Sequence, residues 1–207
     1  MAFVAFLALL VSCGKKEKIK FTGDMFFSDT IYKRIWISTP NIENPYFSIE
    51  YYVSSVGDTI ENQFENYRDD GTIDTLKSEF YHLEIYDTDR PDVYKGIITL
   101  HTRFDTLQIN EKNSRRLQFM YDEFGDSISL GSVISKTSNR LEFEFKNVIS
   151  EHLTGVLIQD VFRDTLVEGE IKLNYGKTRI LVDTRNTTDN TFIKSHRFLE
   201  EKRINKN

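Results

Sequence analysis

Two stretches decide the fold class: Leu141-Glu142-Phe143-Glu144-Phe145-Lys146 and Glu170-Ile171-Lys172-Leu173-Asn174-Tyr175. Both alternate apolar and polar residues strictly. Successive side chains of an extended strand point to opposite faces, so a period of two gives one apolar and one wet face, the pattern of a half-buried antiparallel strand. Weaker versions of the pattern run through Ile31 to Ile37, Phe47 to Val53, Leu76 to Tyr86, Tyr94 to Phe104, Ser127 to Ile134, Gly155 to Phe162 and Thr178 to Val182. Asp followed by Thr or Ser and then Ile or Leu recurs at Asp29, Asp58, Asp74, Asp105, Asp126 and Asp164. Asp closes a turn through its own backbone and Thr with an aliphatic residue starts a strand, so each copy reads as the opening of a hairpin arm. The expectation is an all-β chain, an antiparallel meander forming a sandwich or barrel.

A faint repeat fits a meander of similar units: GIITLHTRFDTL from Gly96 aligns without a gap on GVLIQDVFRDTL from Gly155. Helical signals compete at three places. Leu117, Met120, Tyr121 and Phe124 follow helical spacing, with Ser114 as cap and Gly125 as stop, and predict a short helix. Ile60, Phe64 and Tyr67 fit a helix capped by Asp58 and Glu61, but Asp69, Asp70 and Gly71 form a hairpin turn between two strands, which is the preferred reading. Phe192, His196 and Leu199 predict a last short helix. The organisation expected is a segment 1–12, a tether 13–20, one β-rich domain over 21–199 (or two smaller ones) and a charged tail 200–207.

The chain has 207 residues, enough to bury a core without staples. Its 16 Phe and 10 Tyr are too many for a disordered segment. A formal charge of −5 argues against nucleic acid as a partner, because that affinity comes mainly from Lys and Arg neutralising phosphates. Cys13 is the only cysteine, so no internal disulfide can form.

Met1 to Val11 reads MAFVAFLALLV, an uncharged apolar run too short for the ~20 residues of a spanning helix but of the length of a signal-peptide core. It ends in Leu10, Val11, Ser12 and Cys13. These four residues resemble the lipobox of bacterial lipoproteins: an aliphatic residue, a small or aliphatic one, a small one, then cysteine. The resemblance implies cleavage after Ser12, a diacylglyceryl thioether on the Cys13 sulfur and acylation of the new amine. An anchor of three chains, at ~0.8 kcal/mol per buried methylene, is effectively permanent. The following GKKEKIK reads as a solvated tether, and Gly14 resembles the second residue of lipoproteins sorted to the outer membrane.

Chemistry is sparse. His82, His101, His152 and His196 form neither an HxH nor an HExxH pair, and no GxSxG elbow or glycine-rich phosphate loop occurs. Asp87, Asp89 and Asp92 in YDTDRPD could offer oxygens to Ca²⁺, but the loop lacks the glycine and distal Glu of an EF-hand and reads as a solvated hairpin end. Trp36, Tyr51, Tyr52, Phe80, Tyr81, Phe119 and Tyr121 could line a pocket, although aromatics on strands are ordinarily core. Adjacent pairs such as Tyr51 and Tyr52 must point to opposite faces. No catalytic, cofactor or metal site is expected; Cys13 is the one site residue, for lipidation.

The expected function is a noncatalytic binding or structural role for an envelope lipoprotein, membrane-anchored at Cys13, with an envelope protein, a glycan or a small hydrophobic ligand as partner. One alternative is a lipocalin-like carrier, although Lys33 to Ile37 reads KRIWI where lipocalins open on Gly-x-Trp. The other is a hydrolase of envelope polysaccharide or peptide using Asp and Glu. An enclosed cavity would favour the carrier, two carboxylates ~5 to 9 Å apart in a cleft the hydrolase, and a filled interior the binding module. Cys13→Ala is expected to leave the protein unlipidated and released from the membrane fraction; its retention there would remove the anchor.

Overall fold

The computed structural model describes residues 31–39, 46–125, 127–149 and 152–193. The signal segment, Cys13 with its tether, Asp29, Asp126, His196 and the tail lie outside these residues. Eleven strands follow in chain order among them: β1 (Tyr32–Ser38), β2 (Phe47–Ser54), β3 (Thr59–Asn66), β4 (Phe80–Asp87), β5 (Val93–His101), β6 (Asn113–Phe124), β7 (Ile128–Ser135), β8 (Arg140–Lys146), β9 (Thr154–Val167), β10 (Glu170–Asp183) and β11 (Thr187–Thr188). The all-β antiparallel fold is as the alternation implied. The strands form three sheets, ordered β11-β1-β2-β3, β10-β9-β6-β7 and β4-β5-β8. The pairs β1–β2, β2–β3, β4–β5, β6–β7 and β9–β10 are hairpins, and longer connections bring β8 beside β5, β9 beside β6 and β11 beside β1.

The sheet β10-β9-β6-β7 is apolar on both faces. Leu117, Phe119 and Tyr121 of β6, Leu157 of β9 and Ile180 and Val182 of β10 join Ile98, Leu100, Leu141, Phe143 and Phe145 of the β4-β5-β8 sheet in one core. Val156 of β9 and Leu181 of β10, which point the other way, join Tyr32, Tyr52 and Ile60 of the β1-β2-β3 sheet and Ile193 in a second core. The result is a layered sandwich with this sheet in the middle.

Glycines let the middle and outer layers close. A methyl group on Gly96 would lie 2.3 Å from the Phe143 ring, and one on Gly131 the same distance from the Tyr121 ring. Phe143 and Tyr121 are the cross-strand partners of those two glycines. Each bare backbone patch is therefore roofed by its neighbour's ring, a known way of stabilising glycine within a strand. Phe119, Tyr121 and Phe143 then pack on one another with centroids 4.9–5.2 Å apart, Phe119 stacked on Tyr121 and Phe143 tilted against both.

The helix expected around Leu117 to Phe124 is overturned: the segment is β6. Met120 faces the second core while Leu117, Phe119 and Tyr121 face the first. A strand covered on both sides loses its alternation, and its apolar residues then mimic helical spacing. The hairpin preferred over a helix near Asp69 is present, with Tyr67 bridged to Ile73 and Gly71 at φ 80°. Of the last predicted helix only Phe192 and Ile193 are described, both packed on the second core. Asp58 opens β3 as expected, its carbonyl accepting from the Ser54 amide at 2.9 Å. Asp74 and Asp105 close turns, but Asp164 sits inside β9. The repeat diverges for the same reason: the segment from Gly96 turns away after His101, whereas that from Gly155 continues as strand.

A methyl group on Gly155 would meet the Met120 carbonyl oxygen at 2.5 Å and the Phe119 ring at 2.6 Å. Because backbone in a central strand cannot yield like a side chain, Gly155→Ala is expected to destabilise the fold by about 2–3 kcal/mol. Equilibrium urea unfolding measures this, and an unchanged midpoint would mean the layers are looser than their contacts imply.

Candidate functional site

Two features stand out from the packing: a buried polar cluster between sheets and an exposed arm. The cluster centres on Glu50 of β2, which is fully buried. Arg34 of β1 donates to its Oε1 through Nε at 2.7 Å, with Nη2 at 2.5 Å. Asn62 Nδ2 and Gln63 Nε2 of β3 both donate to its Oε2 at 2.8 Å. Two adjacent strand residues reach the same carboxylate because the β2–β3 ladder slips by one residue beside Glu50 and Tyr51, a bulge that turns both Asn62 and Gln63 inward. Asn62 also caps the edge of β10, accepting from the Leu181 amide at 2.7 Å and donating to the Leu181 carbonyl at 2.9 Å. Arg34 donates through Nη1 to the Asp183 carbonyl and to that of Arg185 at 3.1 Å. Donors occupy both Glu50 oxygens, so the cluster works as a fastening between sheets.

Asp183 ends β10 beside it. Its carboxylate accepts from the Thr188 hydroxyl of β11 and from the Arg185 amide at 3.2 Å. Burial pushes this carboxyl up to about 6, against the opposing pull of those hydrogen bonds and of Arg34 and Arg185. Asp122, also buried, accepts from the Thr154 and Thr191 hydroxyls at 3.0 Å. Two buried carboxylates thus hold the segment that follows β10.

The candidates read from sequence are dispersed. His82 points outward from β4. His101 stacks on Phe80 at 4.7 Å and meets Asp105 Oδ2 at 3.3 Å, and the His152 carbonyl accepts from Asn147. The loop of Asp87, Asp89 and Asp92 is closed by the Thr88 hydroxyl donating to the Val93 carbonyl at 2.6 Å. Among the described residues no three His, Cys, Asp or Glu gather as metal ligands. Tyr52, Phe119 and Tyr121 are core, Tyr51 is half-buried and Trp36 is exposed.

The arm is the outer half of the β9–β10 hairpin. Its ladder runs unbroken from Asp183 opposite Thr154 to Glu170 opposite Val167. Glu168 and Gly169 at the tip have φ of 53° and 83°, and two successive left-handed residues make the tight turn whose twist suits a hairpin. Strand β6 flanks β9 only as far as Asn113 opposite Arg163. Beyond that, β9 and β10 have only each other among the described strands. One face of this arm carries Phe162, Leu166, Ile171, Leu173 and Tyr175, with Asp164 opposite Leu173 as its one charged residue; Leu166, Ile171 and Leu173 are at 72%, 69% and 66% exposure. Tyr175 packs on Phe162 at 5.0 Å between centroids. The stretch from Glu170 to Tyr175 is the strand its alternation predicted, but its apolar face looks into solvent. Alternation reports two unlike faces and not which one is covered.

Compared with known proteins, the chain matches no family model, no curated protein and no solved structure.

Because folding raises the Asp183 pKa, the folded state binds a proton that the unfolded chain, with an ordinary value of 3.8, releases earlier. The contribution of Asp183 is greatest below that value and is lost as pH rises through about 6. Asp183→Asn is expected to remove this loss, of order 2 kcal/mol, and to flatten stability between pH 4 and pH 7. Urea unfolding of both proteins across that range measures the slope; parallel curves would assign the pH dependence to other groups.

Proposed function

We propose that this chain is an envelope lipoprotein, anchored to the membrane through Cys13, whose β domain has a noncatalytic binding or structural role exercised through the β9–β10 arm. The observation that carries the reading is the arm's aliphatic face. Burying such side chains is worth roughly 1.5–3 kcal/mol each, so leaving three beyond the body of the fold costs stability unless they serve contact with something else. The interior supports the same reading. Rings roof strand glycines of the middle and outer layers, and buried apolar side chains of the two layers pack on one another beneath them. The lipobox residues Leu10 to Cys13 supply the address: a tethered domain meets partners that share its membrane. Sorting to the outer membrane belongs to the proposal through Gly14.

A photo-reactive amino acid at Leu173 in the membrane-anchored chain tests this in intact cells. It is expected to give a discrete crosslinked product that the same group at exposed Leu130 on β7 does not give. Replacing Leu166, Ile171 and Leu173 together by Thr, which keeps strand propensity, is expected to abolish interaction without altering the melt. Equal labelling from Leu173 and Leu130 would sink the arm as the contact surface.

A further inference from the structure

Among the described residues, no strand covers the edge of β10 along the arm. Leu181 turns its N–H and C=O away from β9, toward Asn62, and the β9–β10 ladder has no bulge. Every second residue toward the tip therefore also turns its backbone to this side, among them Tyr175, Leu173 and Ile171 on the arm. Asn62 caps this edge at Leu181, and Arg34 and the Tyr81 hydroxyl occupy it at Asp183. No described strand pairs with it between Ile171 and Tyr175. An open apolar edge of this kind is a template for another strand.

We propose that the occupant is a second copy of this chain, the two β10 edges pairing antiparallel about a two-fold axis at Ile171. This rests on the reading of the arm as the contact surface and names its partner. The two edges are self-complementary. With Ile171 opposite itself, Glu170 of each copy lies opposite Lys172 of the other on one face, giving two cross-strand pairs of opposite charge. Within one chain these two side chains stand 3.9 Å apart and are exposed, so both are free to turn outward. On the other face, the register of Leu166 with Ile171 continues across the axis, so that Leu166, Ile171, Ile171 of the second copy and its Leu166 form one aliphatic row. Leu173 falls opposite Gly169, where no side chain blocks it. Moving the axis by one residue to Lys172 would set like charges against each other, which disfavours that register. The tips alone overlap, so the two bodies stay apart.

Extended pairing is confined to Glu170, Ile171 and Lys172 of each copy, because Glu168 and Gly169 form the turn; it buries far less than the ~1,200 Å² at which stable interfaces begin, so the dimer is weak, reversible and concentration-dependent. Anchoring both copies in one membrane would raise their effective concentration.

The test uses the full chain carrying Cys13→Ala, so that an introduced cysteine is the only thiol. Directly opposed residues of such a pair have Cα atoms ~5.5 Å apart, within disulfide reach. Ile171→Cys is expected to form an intermolecular disulfide at least about tenfold faster than Tyr175→Cys, an exposed control on the same strand face. Adding Glu170→Lys should slow the reaction by a similar factor, although a lysine beside the thiol would by itself speed oxidation. Lys172→Glu added to Glu170→Lys restores the opposite charges and should restore the rate. Sedimentation of the chain without the introduced cysteine, up to about 1 mM, should show the same loss and recovery of dimer. Equal rates at 171 and 175, or no recovery in the double reversal, would overturn the pairing. Envelope crosslinks at Leu173 to a different molecule would then still stand for the arm as a contact surface.

Discussion

The polar cluster around the Arg34–Glu50 salt bridge ties the outer sheet to the edge of β10. On β2 the buried residues are Ser48, Glu50, Tyr52 and Ser54, so the outer sheet turns a largely polar strand face inward. Hydrophobic contact alone cannot fix such a face, because each polar group that lost water must find a partner. Glu50 finds Arg34, Asn62 and Gln63, and through them reaches the backbone of β10 at Leu181 and Asp183. A buried charge with one partner removed costs roughly 3–5 kcal/mol, far more than the intact pair contributes. The cluster's effect is therefore specificity: it makes misplacement of the outer sheet expensive.

That constraint also shapes the arm. Asn62 caps β10 at Leu181, and Arg34 and Tyr81 occupy its edge at Asp183. The inner half of the strand is thus closed to pairing, while the outer half carries its apolar face and open backbone together. Protection at one end and exposure at the other, on a single strand, concentrate any contact at the tip. The buried carboxylates Asp183 and Asp122 fasten the segment that follows, so β11 and Ile193 close the second core where the inner half of β10 lies.

The middle sheet explains the most instructive failure of pattern reading. Met120 of β6 packs on the second core while Leu117, Phe119 and Tyr121 pack on the first, so an apolar residue interrupts the alternation and Leu117, Met120, Tyr121 and Phe124 reproduce helical spacing by coincidence. The residues that allow layering are glycines, Gly96, Gly131 and Gly155, which sit inside the expected strands without any signal of what they do there. Their role emerges only once a ring from the neighbouring strand is seen to occupy the missing side chain's place. Asp164 misleads in the opposite sense, since its turn chemistry is overridden by a cross-strand ladder that continues past it.

By itself, the sequence determined the strand class, most strand positions, the hairpin at Asp69 to Gly71 and the opposed faces of Tyr51 and Tyr52, because the two-residue period of an extended chain is a local property. Only tertiary structure decided which face each strand buries. Phe47, Ile49 and Val53 looked like core yet lie less buried than Ser48 and Glu50, and Ile171 and Leu173 looked like core yet stand in water. Arg34, Glu50, Asn62, Gln63 and Asp183 carried no motif, being ordinary polar residues scattered over ~150 positions. They become a cluster only when a bulge in β3 and the ends of β1, β2 and β10 arrive at one point, and burial there, which no local pattern encodes, gives them their energy.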